Sequence, residues 1–236
     1  MIQPRIPGIF FLLFFSLFIS CGIEEYYYLP QVPQGNISTN FDTNASIHIP
    51  PVDMSEFYYF TNYAIYYRIY ISDASIEIEN TNSYTSELRQ DFNAIAPYAD
   101  PTNTSAGTSI DQLFRNRNYH ELWFEGENPA SILQPGSLLN IIFPTASGDY
   151  PYVTLNGNTQ KVYLNRSVRE PAPPNRFFIN SLELRTNERN DDVSRRSGSN
   201  AYVSMYIVAK GNDTVNFKDV FSKPTHINFF KLSDGY

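Results

Sequence analysis

Residues 63–71, Tyr63-Ala-Ile-Tyr-Tyr-Arg-Ile-Tyr-Ile71, carry the clearest structural signal in the chain. The odd positions are Tyr63, Ile65, Tyr67, Ile69 and Ile71; the even ones are Ala64, Tyr66, Arg68 and Tyr70. Side chains alternate across a strand, so this is one strand with an aliphatic-rich face and a tyrosine face. It predicts a central strand with one face on a core and the tyrosine hydroxyls partly wet. Ala201 to Ala209 repeats the division. Val203, Met205 and Ile207 point one way; Tyr202, Ser204 and Tyr206 point the other. The two stretches read as equivalent central strands or as centres of two related domains.

Working outward, Ala45 to Ile49 alternates and ends at Pro50-Pro51, since proline cannot donate to a sheet ladder. Ser75 to Glu79 alternates after a Ser72-Asp73 turn. Further strands are expected at Tyr119 to Glu125, Leu138 to Phe143, Tyr152 to Leu155, Gln160 to Leu164, Phe177 to Leu184 and His226 to Leu232. Asn156-Gly157 signals a hairpin. Between residues 83 and 117 the period changes. Tyr84, Leu88, Phe92 and Ile95 share a helical face that Pro97 should stop, and Ser109-x-x-Gln112 reads as a capping box for a second helix. The expected fold is mainly β, an antiparallel β-sandwich over 37–236 with a short two-helix insertion at about 83–117. Two sandwiches split near the Pro-rich stretch 170–175 are the alternative. The run at 63–71 resembles the third strand of fibronectin type III and immunoglobulin-like sandwiches, which implies that topology.

The chain has 236 residues, 18 tyrosines, 18 phenylalanines, a net charge of −7 and one cysteine. That apolar content can build a core. One cysteine excludes an internal disulfide framework and any multi-cysteine metal site. The acidic balance argues against nucleic acid, whose phosphates need basic patches.

The N-terminus points to export. Arg5 precedes the apolar run Ile9 to Ile19, about half of the roughly 20 residues that cross a bilayer as a helix. A basic start and a short apolar run make a signal peptide over 1–20. Leu17-Phe18-Ile19-Ser20-Cys21-Gly22 then places the sole cysteine behind a small residue. This resembles the lipobox of bacterial lipoproteins, in the relaxed form of spirochaetes, with Phe18 where leucine is usual. The resemblance implies cleavage before Cys21, a diacylglycerol on its thiol and acylation of the new amino terminus. It implies an exported protein, lipid-anchored in the cell envelope on the periplasmic or outer-surface side. Residues 21–36, with Pro30, Pro33 and Gly35, read as the lipidated cysteine and a flexible tether. Tyr26-Tyr27-Tyr28 reads as an edge strand or a patch near the membrane.

Catalytic motifs are scarce. No nucleophile elbow, Walker A loop or dinucleotide fingerprint occurs. His48, His120 and His226 lie far apart in strand-like segments and read as structural. Asp191-Asp192, beside Arg189, Arg195 and Arg196, reads as a solvated ion-pair cluster inside a mobile polar loop, 187–200. The remaining candidate is Tyr119, Glu121, Trp123 and Glu125, which would share one strand face as a sugar-stacking strip. The expected role is therefore non-catalytic: binding of a protein or glycan, or a structural role, with no cofactor or metal. The alternatives are a glycan-acting envelope enzyme using Glu121 and Glu125, or a substrate-capture lipoprotein.

Overall fold

The computed structural model describes residues 29–40, 43–72, 86–99, 110–145, 149–166, 177, 192–194, 200–213 and 218–232. Cys21, Ser109, the strand expected at 75–79, the Pro-rich stretch 170–175 and Arg189, Asp191, Arg195 and Arg196 lie outside these residues. Of the strand expected at 177–184, only Phe177 is described. Among the described residues no helix is long and apolar enough to cross a bilayer.

The fold is mainly β, built from antiparallel sheets. One sheet has six strands: β1 (Ile37–Asn40), β2 (Asn44–His48), β5 (Trp123–Phe124), β6 (Leu138–Ile142), β7 (Tyr152–Leu155) and β8 (Val162–Asn165). Their order is β1-β2-β6-β7-β8-β5. The other sheet is centred on β3 (Phe60–Ser72) and β9 (Asn200–Asp213). These two, the paired aliphatic/tyrosine strands of the sequence, run antiparallel from Phe60 opposite Gly211 to Ser72 opposite Asn200. β4 (His120–Glu121) flanks β3, while β10 (Lys218–Phe221) and β11 (Thr225–Leu232) share the far edge of β9. Between those last two, Ser222 keeps the ladder closed. Its N–H donates to the Ala209 carbonyl (2.9 Å) and its Oγ accepts from the Ala209 N–H (2.8 Å). The sheet curls as a half-barrel rather than lying as a flat layer.

Both sheets contribute to one large core: Ile47, Leu139, Ile141, Val153 and Leu164 from the first, and Ile65, Ile69, Val203 and Ile207 from the second. Tyr63 and Tyr67 also lie there, fully buried. The second face of β3 is not wet. Ala64, Tyr66 and Tyr70 are buried beneath two helices, α1 (Ser86–Ala99) and α2 (Ile110–Asn116). Leu88, Phe92 and Ile95 supply the face of α1 that the spacing predicts. Phe114 of α2 stacks on Tyr66, centroids 4.6 Å apart. The tyrosine face is therefore a second packing surface, which the helical insertion between β3 and β4 covers.

Local rules account for the boundaries. α1 runs two residues past Pro97, because a proline in the last turn forfeits only one backbone donor. α2 ends with Asn118 at φ 54°, the Asn118 N–H on the Arg115 carbonyl and the Tyr119 N–H on the Phe114 carbonyl. That is a Schellman closure, completed by the Phe114–Tyr119 ring contact at 5.4 Å. A short helix missed by the periodicity, α3 (Pro129–Ile132), starts with proline behind an Asn128 cap. Asn156 and Gly157, φ 49° and 74°, form the expected left-handed hairpin turn.

Parts of two stretches expected to be loose are packed among the described residues. Leu29 and Val32, within the expected tether, are fully buried in the main core. Gln31 donates to the Pro224 carbonyl, and Thr225 Oγ1 donates to the Val32 carbonyl. In the 187–200 loop, Asp192–Ser194 lies along β3 beyond the short β4. Ile69 N–H donates to the Asp192 carbonyl (2.9 Å) and Ser194 N–H to the Ile69 carbonyl (2.8 Å). An edge left bare by a two-residue strand is paired by this segment.

The close approach of Leu29, Tyr59 and β9 is set by Gly211. A Cβ at that position would lie 2.5 Å from the Tyr59 carbonyl oxygen and 3.2 Å from Leu29 Cδ1. Gly211→Ala should therefore destabilise the fold by about 1–3 kcal/mol, read as a lowered urea midpoint with an unchanged slope.

Candidate functional site

The chain changes sheets at Leu122, and this divides the sequence-predicted strip. Tyr119 is buried under α2, and its hydroxyl hydrogen-bonds Tyr70 (3.1 Å) and Ser204 (3.2 Å). Burial pushes its pKa up to about 12. Glu121, on β4 in the five-stranded sheet, is ion-paired with Lys210 at 2.9 Å. Leu122 enters the core, and Trp123 and Glu125 continue at the edge of the six-stranded sheet. Trp123 is 54 % exposed. The structure thus divides the strip between two sheets, because His120–Glu121 pairs with β3 while Trp123–Phe124 pairs with β8.

What the fold assembles instead is an aromatic row on the outward face of the six-stranded sheet. Val153, Val162, Leu164 and Phe124 point inward, so their neighbours Tyr152, Tyr163, Asn165 and Trp123 point out. Tyr152 lies opposite Tyr163, and Trp123 opposite Asn165. The Tyr163 ring meets Tyr152 at 6.4 Å and Tyr150 at 6.3 Å, both edge-on. Lys161 Nζ sits 4.4 Å over the Tyr152 ring and 3.8 Å from Asp149. The Glu125 N–H donates to the Tyr163 carbonyl, which puts Glu125 in register at the end of the row. Asn165 Oδ1 is buried without a hydrogen-bond partner among the described residues. The sequence holds the alternation at 152–155 and 160–164 that signals outward tyrosines. It does not hold the pairing of β8 with β5, which adds Trp123.

The strongest electrostatics lie inside the protein. Asp91 of α1, 2 % exposed, accepts from Arg68, from Tyr70 Oη (2.6 Å) and from Arg117 Nη1 (2.8 Å). On the other face of β3, Asp192, 1 % exposed, is held by Arg166 through Nε (2.7 Å) and Nη2 and by Tyr67 Oη (2.8 Å). Asp192 is therefore buried and tightly paired, where a solvated cluster was expected. A charge removed from water needs this number of partners. Both sites are filled with their own hydrogen bonds. Among the described residues, no group of three or more histidines, cysteines or carboxylates could hold a metal.

The histidines stay apart. His226 lies in an aromatic box of Phe229 (4.4 Å), Tyr206 (4.9 Å) and Phe92 (5.7 Å), with Nε2 buried and unpartnered among the described residues. Burial lowers its pKa from 6.5 to about 3, so it is neutral in the fold. Its box is closed by α1, which ties the ring's protonation to that helix.

Two outcomes follow from these interiors. Asp91→Asn leaves Arg68 buried without a counter-charge and should cost about 3–5 kcal/mol, measured by chemical denaturation. Arg117→Gln, at a part-exposed position, should cost less. Between pH 6.5 and about 3 the unfolded chain binds the His226 proton and the fold does not, so stability falls as pH falls. The His226 contribution reaches at most about 1.4 kcal/mol per pH unit and should vanish in His226→Phe, compared with wild type by urea titration at several pH values.

No protein family, curated protein or solved structure matches this chain, so the aromatic row and the chain's own chemistry carry the functional reading.

Proposed function

We propose that this protein is a cell-envelope lipoprotein, anchored through lipid on Cys21, whose β domain binds a glycan without catalysis. The aromatic row Trp123, Tyr150, Tyr152 and Tyr163 carries the binding half of this reading. Sugar rings present apolar C–H faces with hydroxyls around the rim. Aromatic faces flanked by a few polar groups match that chemistry. Lys161 stands over the Tyr152 ring and Glu125 is in register at the end of the row, so charged residues flank the aromatic faces.

The non-catalytic half is supported by the position of the glutamates. Hydrolysis by two carboxylates needs both to flank one scissile bond. Glu121 is engaged by Lys210 in one sheet, and Glu125 belongs to the edge of the other. The anchoring half is supported by the signal-like run to Ile19 and the Ser20-Cys21 pair. Acyl chains contribute about 0.8 kcal/mol per buried methylene, so two or more make a stable anchor. We read the two sheets as a divergent immunoglobulin-like sandwich, in which central strands carry the core and a sheet face carries the ligand.

Each half has its own test. In an expressing bacterium, Cys21→Ala should abolish labelling by a fatty-acid analogue and move the protein from the membrane to the soluble fraction. Unchanged retention would refute the anchor. For binding, the purified domain is mixed with insoluble peptidoglycan and with soluble oligosaccharides. Trp123 is the only tryptophan in the chain, so its emission reports occupancy directly. Tyr163→Ala, checked for folding by circular dichroism, should weaken binding about tenfold, or about 1.4 kcal/mol. Emission that no glycan alters would count against the row.

A further inference from the structure

Among the described residues, four large hydrophobic side chains are markedly exposed: Met54, Tyr58, Trp123 and Leu138. Trp123 belongs to the aromatic row. The other three lie toward one end of the strands: Leu138 begins β6 opposite His48 at the end of β2, and Met54 and Tyr58 belong to the connection from β2 to β3. Leu29 packs beside Gly211 and Tyr59, and the Asn212 N–H donates to the Tyr59 carbonyl (2.9 Å). From there the N-terminal segment runs to Asn36, whose side chain donates to the His48 carbonyl, and Leu138 lies opposite His48 on the next strand.

The loop between Asp53 and Tyr59 is built to present its exposed residues. Asp53 accepts from Ser55 N–H (2.9 Å) and Oγ (2.6 Å), and its carbonyl accepts from Phe57 N–H (2.8 Å). Phe57 and Tyr59 pack on the core from this turn, while Tyr58 between them is 64 % exposed and Met54 is 53 % exposed. An ordered loop holding a tyrosine and a methionine in solvent leaves apolar surface that a partner can cover.

We propose that this end of the domain, with Met54, Tyr58 and Leu138, rests on the bilayer that holds the Cys21 lipid; the inference depends on the lipid-anchor reading. Chain length supplies the argument. Eight residue steps lead from Cys21 to Leu29, a span of at most about 28 Å when fully extended. The buried Leu29 therefore keeps the domain close to the membrane, and a short link gives the surface beside it a high effective concentration there. Tyrosine favours the headgroup level, with its ring in the apolar boundary and its hydroxyl wet. The loop has Asp53 and Glu56 and no lysine or arginine, so the contact is apolar and interfacial and does not draw on anionic lipid.

This places the aromatic row away from the membrane. In the β6–β7–β8–β5 ladder, Leu138 faces Asn156 at one end, and Trp123 faces Asn165 at the other. Six residue steps separate those rows, roughly 20 Å at about 3.3 Å per residue. Trp123 would then stand off the lipid, with Tyr152 and Tyr163 four steps, about 13 Å, from the Leu138 row.

The test uses the full lipidated protein in phosphatidylcholine vesicles carrying a shallow lipid-attached quencher. Tyr58→Trp is made in a Trp123→Phe background, and the native protein reports on Trp123. The expected result is loss of emission and a blue shift for the indole at position 58, an unchanged Trp123, and little effect of added anionic lipid. Vesicle-bound protein whose position 58 is as unquenched as Trp123 would overturn the inference while leaving the anchor intact. A concentration-dependent shift at position 58 without vesicles would also overturn it, in favour of a second copy of the chain. Wild-type protein that fails to sediment with vesicles, as Cys21→Ala should, would overturn both readings.

Discussion

β3 is buried on both faces and paired on both edges, and the rest of the structure is arranged to make that possible. One face, from Tyr63 to Ile71, packs into the core between the sheets, and the other carries Tyr66, Arg68 and Tyr70 beneath α1 and α2. Burying a strand with an arginine and four tyrosines is costly wherever a polar group lacks a partner; Tyr63 Oη has none among the described residues, but Arg68, Tyr67 and Tyr70 are supplied. Asp91 arrives from α1 for Arg68 and Tyr70, and Asp192 arrives from a distant segment for Tyr67 and Arg166. Each carboxylate is thus both a neutralising charge and a tie between β3 and an element remote in sequence.

The same constraint occupies the two buried carboxylates. The buried carboxylates have their hydrogen bonds supplied internally. A catalytic acid or base must reach a substrate proton, and these two groups face their own arginines and tyrosines. Among the described residues, the surfaces not taken up by packing include the outward face of the six-stranded sheet and the loops at its two ends. Leu122 links the two sheets: one inward leucine ends β4 and starts β5, and brings Trp123 beside Asn165.

Aromatic content serves three purposes in this cysteine-poor chain. Phe143 and Phe230 stack in the main core at 4.3 Å, Phe114 and Tyr66 join α2 to the sheet, and Tyr150, Tyr152 and Tyr163 form a solvent-facing row. Aromatic rings bury large areas and keep a polar handle in the case of tyrosine. That suits a fold whose described residues are held by packing and paired charges.

Period-2 alternation made the central strands legible, because side-chain direction in a strand is a local property. Val203, Met205 and Ile207 share a face wherever β9 is placed, and Leu88, Phe92 and Ile95 share one on α1. The Asn156-Gly157 turn and the signal-like N-terminus are local in the same sense. Tertiary structure alone decided what lies across each face. The tyrosine side of β3 reads as half-wet until two helices cover it. Asp192 sits in a polar stretch of sequence yet is buried, because a bare strand edge and Arg166 draw it in. Tyr119, Glu121, Trp123 and Glu125 alternate in sequence, but β4 and β5 belong to two sheets, and Trp123 instead pairs with Asn165, two residues from Tyr163 on the same strand. Sequence determines which way a side chain points; pairing between distant strands determines what it meets.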